Sequence, residues 1–208
     1  MKIESVIFDY GDVISQPQRK DCIEKMVSIC GVERAQFDKG YWQFRLDYDR
    51  KMDNFTYFRN AGQVMGVSLT NEQIEELTLL DNQSWTQPNL IMLSWIKMLE
   101  SNGVRTALLS NMPFVMSEYI LSNCDWFPRF ETAVFSSKVG YVKPEKEIFM
   151  HCLEAASMEA KSTLFIDDRI ANIEGAKAIG MIGLHFTGVT DAFAIIKERF
   201  DLPYPLPS

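Results

Sequence analysis

What most constrains this chain is a strand-to-helix alternation that stops near residue 18 and resumes near residue 86. Short apolar runs at residues 3–8, 104–109, 132–135, 163–166 and 181–186 are strand-like and bounded by turn chemistry. Helical patterns separate most of them. Residues 88–100 carry Leu90, Ile91, Leu93, Trp95, Ile96 and Leu99 on a helical spacing, with Asn102 and Gly103 as a stop. Pro144 is expected at a first helical position, followed by the face of Cys152, Leu153, Ala155 and Ala156. Further helices are expected at 170–179, ending at Gly180, and at 191–200. The alternation predicts an α/β fold whose core is a Rossmann-like parallel sheet covered on both faces.

Residues 18–85 read differently, as helix after helix. Cys22, Met26 and Cys30 recur at i, i+4 and end at Gly31; an aromatic segment surrounds Tyr41, Trp42 and Phe44; residues 53–66 follow. Thr70 with Gln73 forms a capping-box signature opening a helix from Asn71 to about Leu80. An all-helical cap over 18–85, inserted into a core of 1–17 and 86–208, accounts for the interruption, and Gln87 with Pro88 marks the return. The ending LPYPLPS is too proline-rich for a helix and is expected to pack as an extended tail.

With 47% hydrophobic and 24% charged residues the chain has the composition of a soluble globular protein. A formal charge of -7 opposes capture by nucleic acid or an anionic membrane, because long-range repulsion slows encounter with a polyanion. Neither partner is expected. The first residues show no basic leader or long apolar stretch, so a cytoplasmic location is expected, as a monomer or a homodimer. The four cysteines have no C-x-x-C spacing, and adjacent His151 and Cys152 would point in different directions on a helix, so no zinc site is expected.

Open parallel sheets bind ligands at the carboxyl ends of their strands. Asp9, Gly11 and Asp12 follow the first run; Ser110 and Asn111 follow the second. Ser136, Ser137, Lys138 and then Lys143 follow the third, and Asp167 and Asp168 the fourth. One rim thus gathers carboxylates, a hydroxyl, an amide and one or two amines. That set suits phosphoryl transfer, in which a carboxylate attacks phosphorus, a divalent cation shields one anion from the other, and fixed donors hold the oxygens.

VIFDYGDVI around Asp9, LLSN at 108–111, VGYVKPEKEIF at 139–149 and FIDDRIANIEGAKAIG at 165–180 resemble, in order and spacing, the four motifs of haloacid dehalogenase-like hydrolases. The chain looks closest to the branch of alpha-D-glucose-1-phosphate phosphatase and the N-terminal phosphatase domain of soluble epoxide hydrolase. The resemblance implies a Mg2+-dependent phosphatase acting on a small phosphorylated metabolite through an aspartyl-phosphate. Asp9 would be the nucleophile and a metal ligand, with Gly11, through its carbonyl, and Asp168 completing the protein's ligands. Asp167 would bind a metal water or shape the turn. Ser110 and the Asn111 N–H would hold phosphate, and Lys143 would stand between nucleophile and phosphate. Asn172 would support the site from behind.

The resemblance breaks at Gly11, where such phosphatases usually carry a second Asp as general acid and base. Asp12 is one position late. A site without that acid favours good leaving groups, so sugar 1-phosphates should outrun 6-phosphates unless Asp12, a cap residue or water delivers the proton. A positive φ would by itself explain the glycine. Two other readings stand beside the phosphatase: a dehalogenase using Asp9 on carbon with Arg45 or Arg50 as halide cradle, and a binding or regulatory protein that has lost turnover. The patch of Tyr41, Trp42, Phe44, Arg45, Asp47, Tyr48, Asp49, Arg50 and Lys51 suits either substrate contact or cap core.

Overall fold

The structure, a computed structural model, describes residues 2–128 and 130–204. Five parallel strands form one sheet in the order β3-β2-β1-β4-β5: β1 (Ser5–Phe8), β2 (Arg105–Ser110), β3 (Thr132–Phe135), β4 (Thr163–Asp167) and β5 (Ile182–His185). Side chains alternate across it, as a strand's period of two requires. Val6, Phe8, Leu108, Leu164 and Ile166 face a layer that includes Trp95, Ile96, Ile120 and Ile196. Ile7, Ala107, Leu109 and Phe165 face Ile148, Phe149, Cys152 and Ile173. The first layer comes from α6 (Leu90–Ser101), α7 (Phe114–Asn123) and α11 (Val189–Arg199). The second comes from α9 (Lys146–Ala155) and α10 (Ile170–Ala178); the four-residue α8 (Ser136–Val139) follows β3.

Between the turn that follows β1 and α6 lie five helices: α1 (Lys20–Cys30), α2 (Arg34–Gln43), α3 (Arg45–Arg50), α4 (Asn54–Met65) and α5 (Asn71–Ser84). They share their own apolar cluster, which includes Met26, Phe37, Tyr41, Tyr48, Tyr57, Ile74 and Leu77. Gly31 closes α1 at φ 63, the left-handed conformation that glycine adopts without a Cβ clash. Thr70 and Gln73 form the expected capping box, although α5 runs on to Ser84, beyond the expected Leu80. The connections into and out of the helical layer run side by side, with Ser15 bridged to Pro88 and Gln16 N–H donating to Gln87 O at 2.7 Å.

Pro144 departs from its expected place. It lies in a turn, after a cis peptide bond, and α9 begins only at Lys146. Glu145 N–H donates to Val142 O at 2.8 Å, so turn hydrogen bonding wins over proline's preference for a first helical position. In the tail, Leu202 is buried and the Trp95 indole donates to Pro203 O at 2.7 Å; residues 205–208 lie outside the described residues. Among the described residues no helix is long and apolar enough to cross a membrane.

Candidate functional site

Strand register builds the site. Phe8 is level with Leu108 on one side and Ile166 on the other, so Asp9, Ser110 and Asp167 emerge together at one edge. This is where the strand order reverses around β1, the crevice in which open α/β sheets hold ligands. A cleft of about 160 Å³ opens there, lined by Asp9, Gly11, Ser110, Asn111, Lys143 and Asp168 from the sheet rim. Trp42, Arg45 and Asp49 wall it from the helical layer, and Trp85 from the return connection.

Asp9 is 7% exposed, and its two oxygens are not equivalent. Oδ1 accepts from Tyr10 N–H at 2.6 Å and pairs with Lys143 Nζ at 2.7 Å. Oδ2 receives no hydrogen bond from a described residue. Burial raises the Asp9 carboxyl well above its ordinary pKa; Lys143 opposes this, while Asp167 and Asp168 add to it.

Lys143 is 2% exposed, and its three N–H donors are all engaged: Asp9 and Asp167 at 2.7 Å each, and Leu109 O at 3.0 Å. Burial works against its charge, but Asp167 and Asp9 outweigh burial and its pKa stands above the ordinary value. Its main chain is clamped by Asn111, whose Nδ2 donates to Lys143 O at 3.0 Å and whose Oδ1 accepts Lys143 N–H at 2.8 Å. The Asn111 side chain therefore orients the lysine. Ser110 is 2% exposed and its hydroxyl makes no hydrogen bond to a described residue.

The two consecutive carboxylates divide. Asp167 is fully buried and saturated: Oδ1 accepts from Arg169 N–H at 2.8 Å and Asn172 Nδ2 at 2.9 Å, and Oδ2 from Lys143 and from Asn172 at 3.0 Å. Asp168 is half-buried, and its carboxylate takes no hydrogen bond from a described residue. Burial, then Asp167 and Asp12, push its pKa up. One oxygen each of Asp9, Asp167 and Asp168 lie within 4.8 Å of one another. Lys138, by contrast, pairs with Glu118 at 2.8 Å on the surface and takes no part.

Gly11 has φ -62, so the glycine is not explained by a left-handed backbone; Asp12 takes that conformation, at φ 58. The turn thereby re-aims Asp12, which is half-buried, lines the cleft and faces Arg169. A Cβ on Gly11 would meet the Trp85 ring at 3.4 Å. Trp85 is in turn held by Tyr10, whose hydroxyl donates to Trp85 O at 2.7 Å. Neither Trp85 nor Arg169 carries a sequence signal for this position, since each gains its place only from the fold.

The aromatic and charged patch separates into three parts. Tyr41 and Tyr48 are buried in the helical layer. Arg50 reaches the sheet rim, donating to Gly140 O at 3.1 Å and Glu145 Oε2 at 3.0 Å. Trp42, Arg45 and Asp49 face the cleft. Arg45 Nε donates to Asp49 at 3.0 Å, and Nη1 to Tyr41 at 2.7 Å and Asp81 at 3.1 Å, while among the described residues Nη2 has only the Met116 sulfur at 3.7 Å.

The family model for haloacid dehalogenase-like hydrolases matches residues 31–180. A D-ribitol-5-phosphate phosphatase of Bacteroides thetaiotaomicron is 27% identical over 86% of this chain and 89% of its own length. A sesquiterpene phosphatase of Aspergillus oryzae is 30% identical over 54% of this chain, and the match spans only 56% of that relative. Among solved structures, a HAD-family enzyme of Bacteroides thetaiotaomicron in complex with magnesium and inorganic phosphate is similar at TM-score 0.70 and 21% identity, covering 88% of this chain and 93% of that one. An L-2-haloacid dehalogenase of Xanthobacter autotrophicus is similar at TM-score 0.71 and 15% identity, covering 95% and 83%. At these identities the likeness is one of fold.

Proposed function

The chain belongs to the haloacid dehalogenase-like hydrolase family, and from that premise we propose that it is a Mg2+-dependent phosphatase that cleaves a small phosphomonoester through Asp9. The observation that carries this reading is the inequality of the Asp9 oxygens. Lys143 and Tyr10 N–H hold Oδ1, which leaves Oδ2 to attack phosphorus. The Ser110 hydroxyl and Asn111 N–H at the neighbouring strand end hold phosphate oxygens.

The donor set fits a hard cation. Three carboxylates stand against one ammonium, and burial has already raised two of their pKa values. Asp9, Asp168 and the Gly11 carbonyl would hold Mg2+, which prefers oxygen ligands and would offset the negative charge shared by carboxylate and phosphate. Asp167 is spent on Lys143, Arg169 and Asn172, so its part is to position the lysine. The same charge balance disfavours a dehalogenase. Of the two candidate halide cradles, Arg45 is already paired with the buried Asp81 and Arg50 with Glu145. A protein that had lost turnover would have no physical use for this uncompensated cluster.

The leaving group that fits the cleft is a hydroxylated one, such as a polyol or sugar, with a sugar 1-phosphate as the member least dependent on a proton donor. Trp42 and Trp85 offer ring faces, Arg45 Nη2 offers a donor, and Asp49 offers a carboxyl group. It would work in the cytoplasm as a monomer or homodimer. The test is phosphate release from a panel of phosphometabolites with Mg2+ and with chelator, with halide release from 2-haloacids assayed alongside. Release of phosphate confined to the Mg2+ arm is expected, and halide release in chelator would replace this reading with the dehalogenase.

A further inference from the structure

In-line displacement at phosphorus expels the leaving oxygen on the side opposite the attacking carboxylate. With Asp9 at the end of β1, that oxygen points away from the sheet, toward the cap wall of the cleft. Gly11 brings no acid there, and Trp85 fills the space beside it. Among the cap residues on that wall, the Trp42 indole is no acid near neutrality and the Arg45 guanidinium never gives up its proton. Asp49 does.

Asp49 is 7% exposed; its Oδ1 accepts from Arg45 at 3.0 Å, and its Oδ2 takes no hydrogen bond from a described residue. It is also tied to the core. Ser136 Oγ, at the end of β3, donates to Asp49 O at 2.5 Å, and the adjacent Arg50 grips Gly140 and Glu145. The carboxyl therefore sits on a short helix pinned to the same rim that carries the phosphate site.

Resting on the phosphatase reading above, we propose that Asp49 is the proton donor to the leaving group, supplied by the cap in place of the acid missing at Gly11. As Asp9 Oδ2 bonds to phosphorus and the bond from phosphorus to the leaving oxygen breaks, the Asp49 proton passes to that oxygen and the alcohol departs. Asp49 is left as a carboxylate. It then takes a proton from water as the water oxygen bonds to phosphorus and the bond to Asp9 breaks, which restores both residues and frees phosphate. Burial pushes the Asp49 carboxyl up to about 6, with Arg45 and Arg169 drawing it down and Asp81 adding to the rise. Tyr41, Tyr48 and Tyr57, from the surrounding helices, remain neutral near that pH, because burial raises each of them. Ordinary alcohols then become competent leaving groups, because they depart protonated rather than as alkoxides, so 6-phosphates are not excluded.

The test compares Asp49→Asn, which keeps an acceptor for Arg45, with Asp12→Asn. kcat/KM is measured on a sugar 6-phosphate, which needs a proton, and on p-nitrophenyl phosphate, which does not. Asp49→Asn is expected to lose ~10²- to 10⁴-fold on the first and less than about tenfold on the second. Equal losses on both would make Asp49 a structural partner of Arg45. No loss, or the selective loss appearing in Asp12→Asn instead, would also overturn the proposal. Should Asp49→Asn not fold, the unmodified protein decides: kcat/KM on the 6-phosphate must fall as pH rises above about 6, and that on p-nitrophenyl phosphate must not follow it. Identical profiles would overturn the proposal. Phosphate release from no substrate at all would instead sink the phosphatase reading.

Discussion

Lys143 Nζ stands 2.7 Å from Asp9 Oδ1, and both groups are almost wholly buried. The lysine is the one ammonium among three carboxylates, so Lys143→Met leaves their charge uncompensated. Breaking a buried pair in this way costs ~3–5 kcal/mol. Urea unfolding without Mg2+ should show a loss of that order, and phosphate release should fall by ~10²-fold or more. A variant of near-normal stability would mean that the carboxylates are not charged together.

Asp167→Asn tests the division of labour between the two consecutive carboxylates. Asp167 touches Lys143, Arg169 N–H and Asn172, whereas Asp168 opens to the cleft. The half-saturating Mg2+ concentration should rise far more in Asp168→Asn than in Asp167→Asn. The reverse order would make Asp167 the ligand.

Much of this site is legible in the sequence because it lies at strand ends. Residues 6–8 and 164–166 are apolar without break, as strands buried on both faces must be, so the residues that follow them declare the rim. Lys143 lies well beyond its strand, and there the motif resemblance carries the assignment. What stays hidden depends on the return path of the chain. Trp85 follows the polar last turn of α5, and nothing in NQSW says that its ring will cover Gly11. Arg45 and Arg50 look alike in sequence, yet a helical offset of five residues sends one to the cleft and the other to Glu145. Asn111 reads as a phosphate contact through its N–H, and nothing in the sequence says that its side chain clamps Lys143, a partner from another loop.

The Arg50–Glu145 pair joins α3 to the start of α9 at 2.5 Å with both side chains about one-third exposed. The Arg50 hydrogen bond holds the Glu145 carboxyl below its ordinary value, ahead of a smaller rise from burial. A depressed acid adds stability above its unfolded pKa and loses it as pH falls through the folded one. The pair's contribution should therefore be complete at neutral pH and vanish below the ordinary range of glutamate. Exposure limits it to ~1 kcal/mol or less. Glu145→Gln should reproduce the acid effect at pH 7, raising KM for a cap-contacted substrate with little change in the unfolding midpoint. A pH-independent cap contact, measured by hydrogen exchange of α3, would contradict this.

Trp42 lies on the cleft wall and is 46% exposed, so it contributes little to the apolar cluster of the five helices. Trp42→Ala should change the ranking of sugar and polyol phosphates by about tenfold or more while hydrolysis of p-nitrophenyl phosphate moves much less. Equal losses on both classes would assign Trp42 to stability.

The most direct measurement is an acid quench during steady turnover, followed by mass spectrometry of the peptide that carries Asp9. The account predicts one phosphoryl group on Asp9, removed by hydroxylamine, present with Mg2+ and absent in chelator and in Asp9→Asn. Phosphate release with no phosphoryl on Asp9, or with full activity in Asp9→Asn, would contradict it.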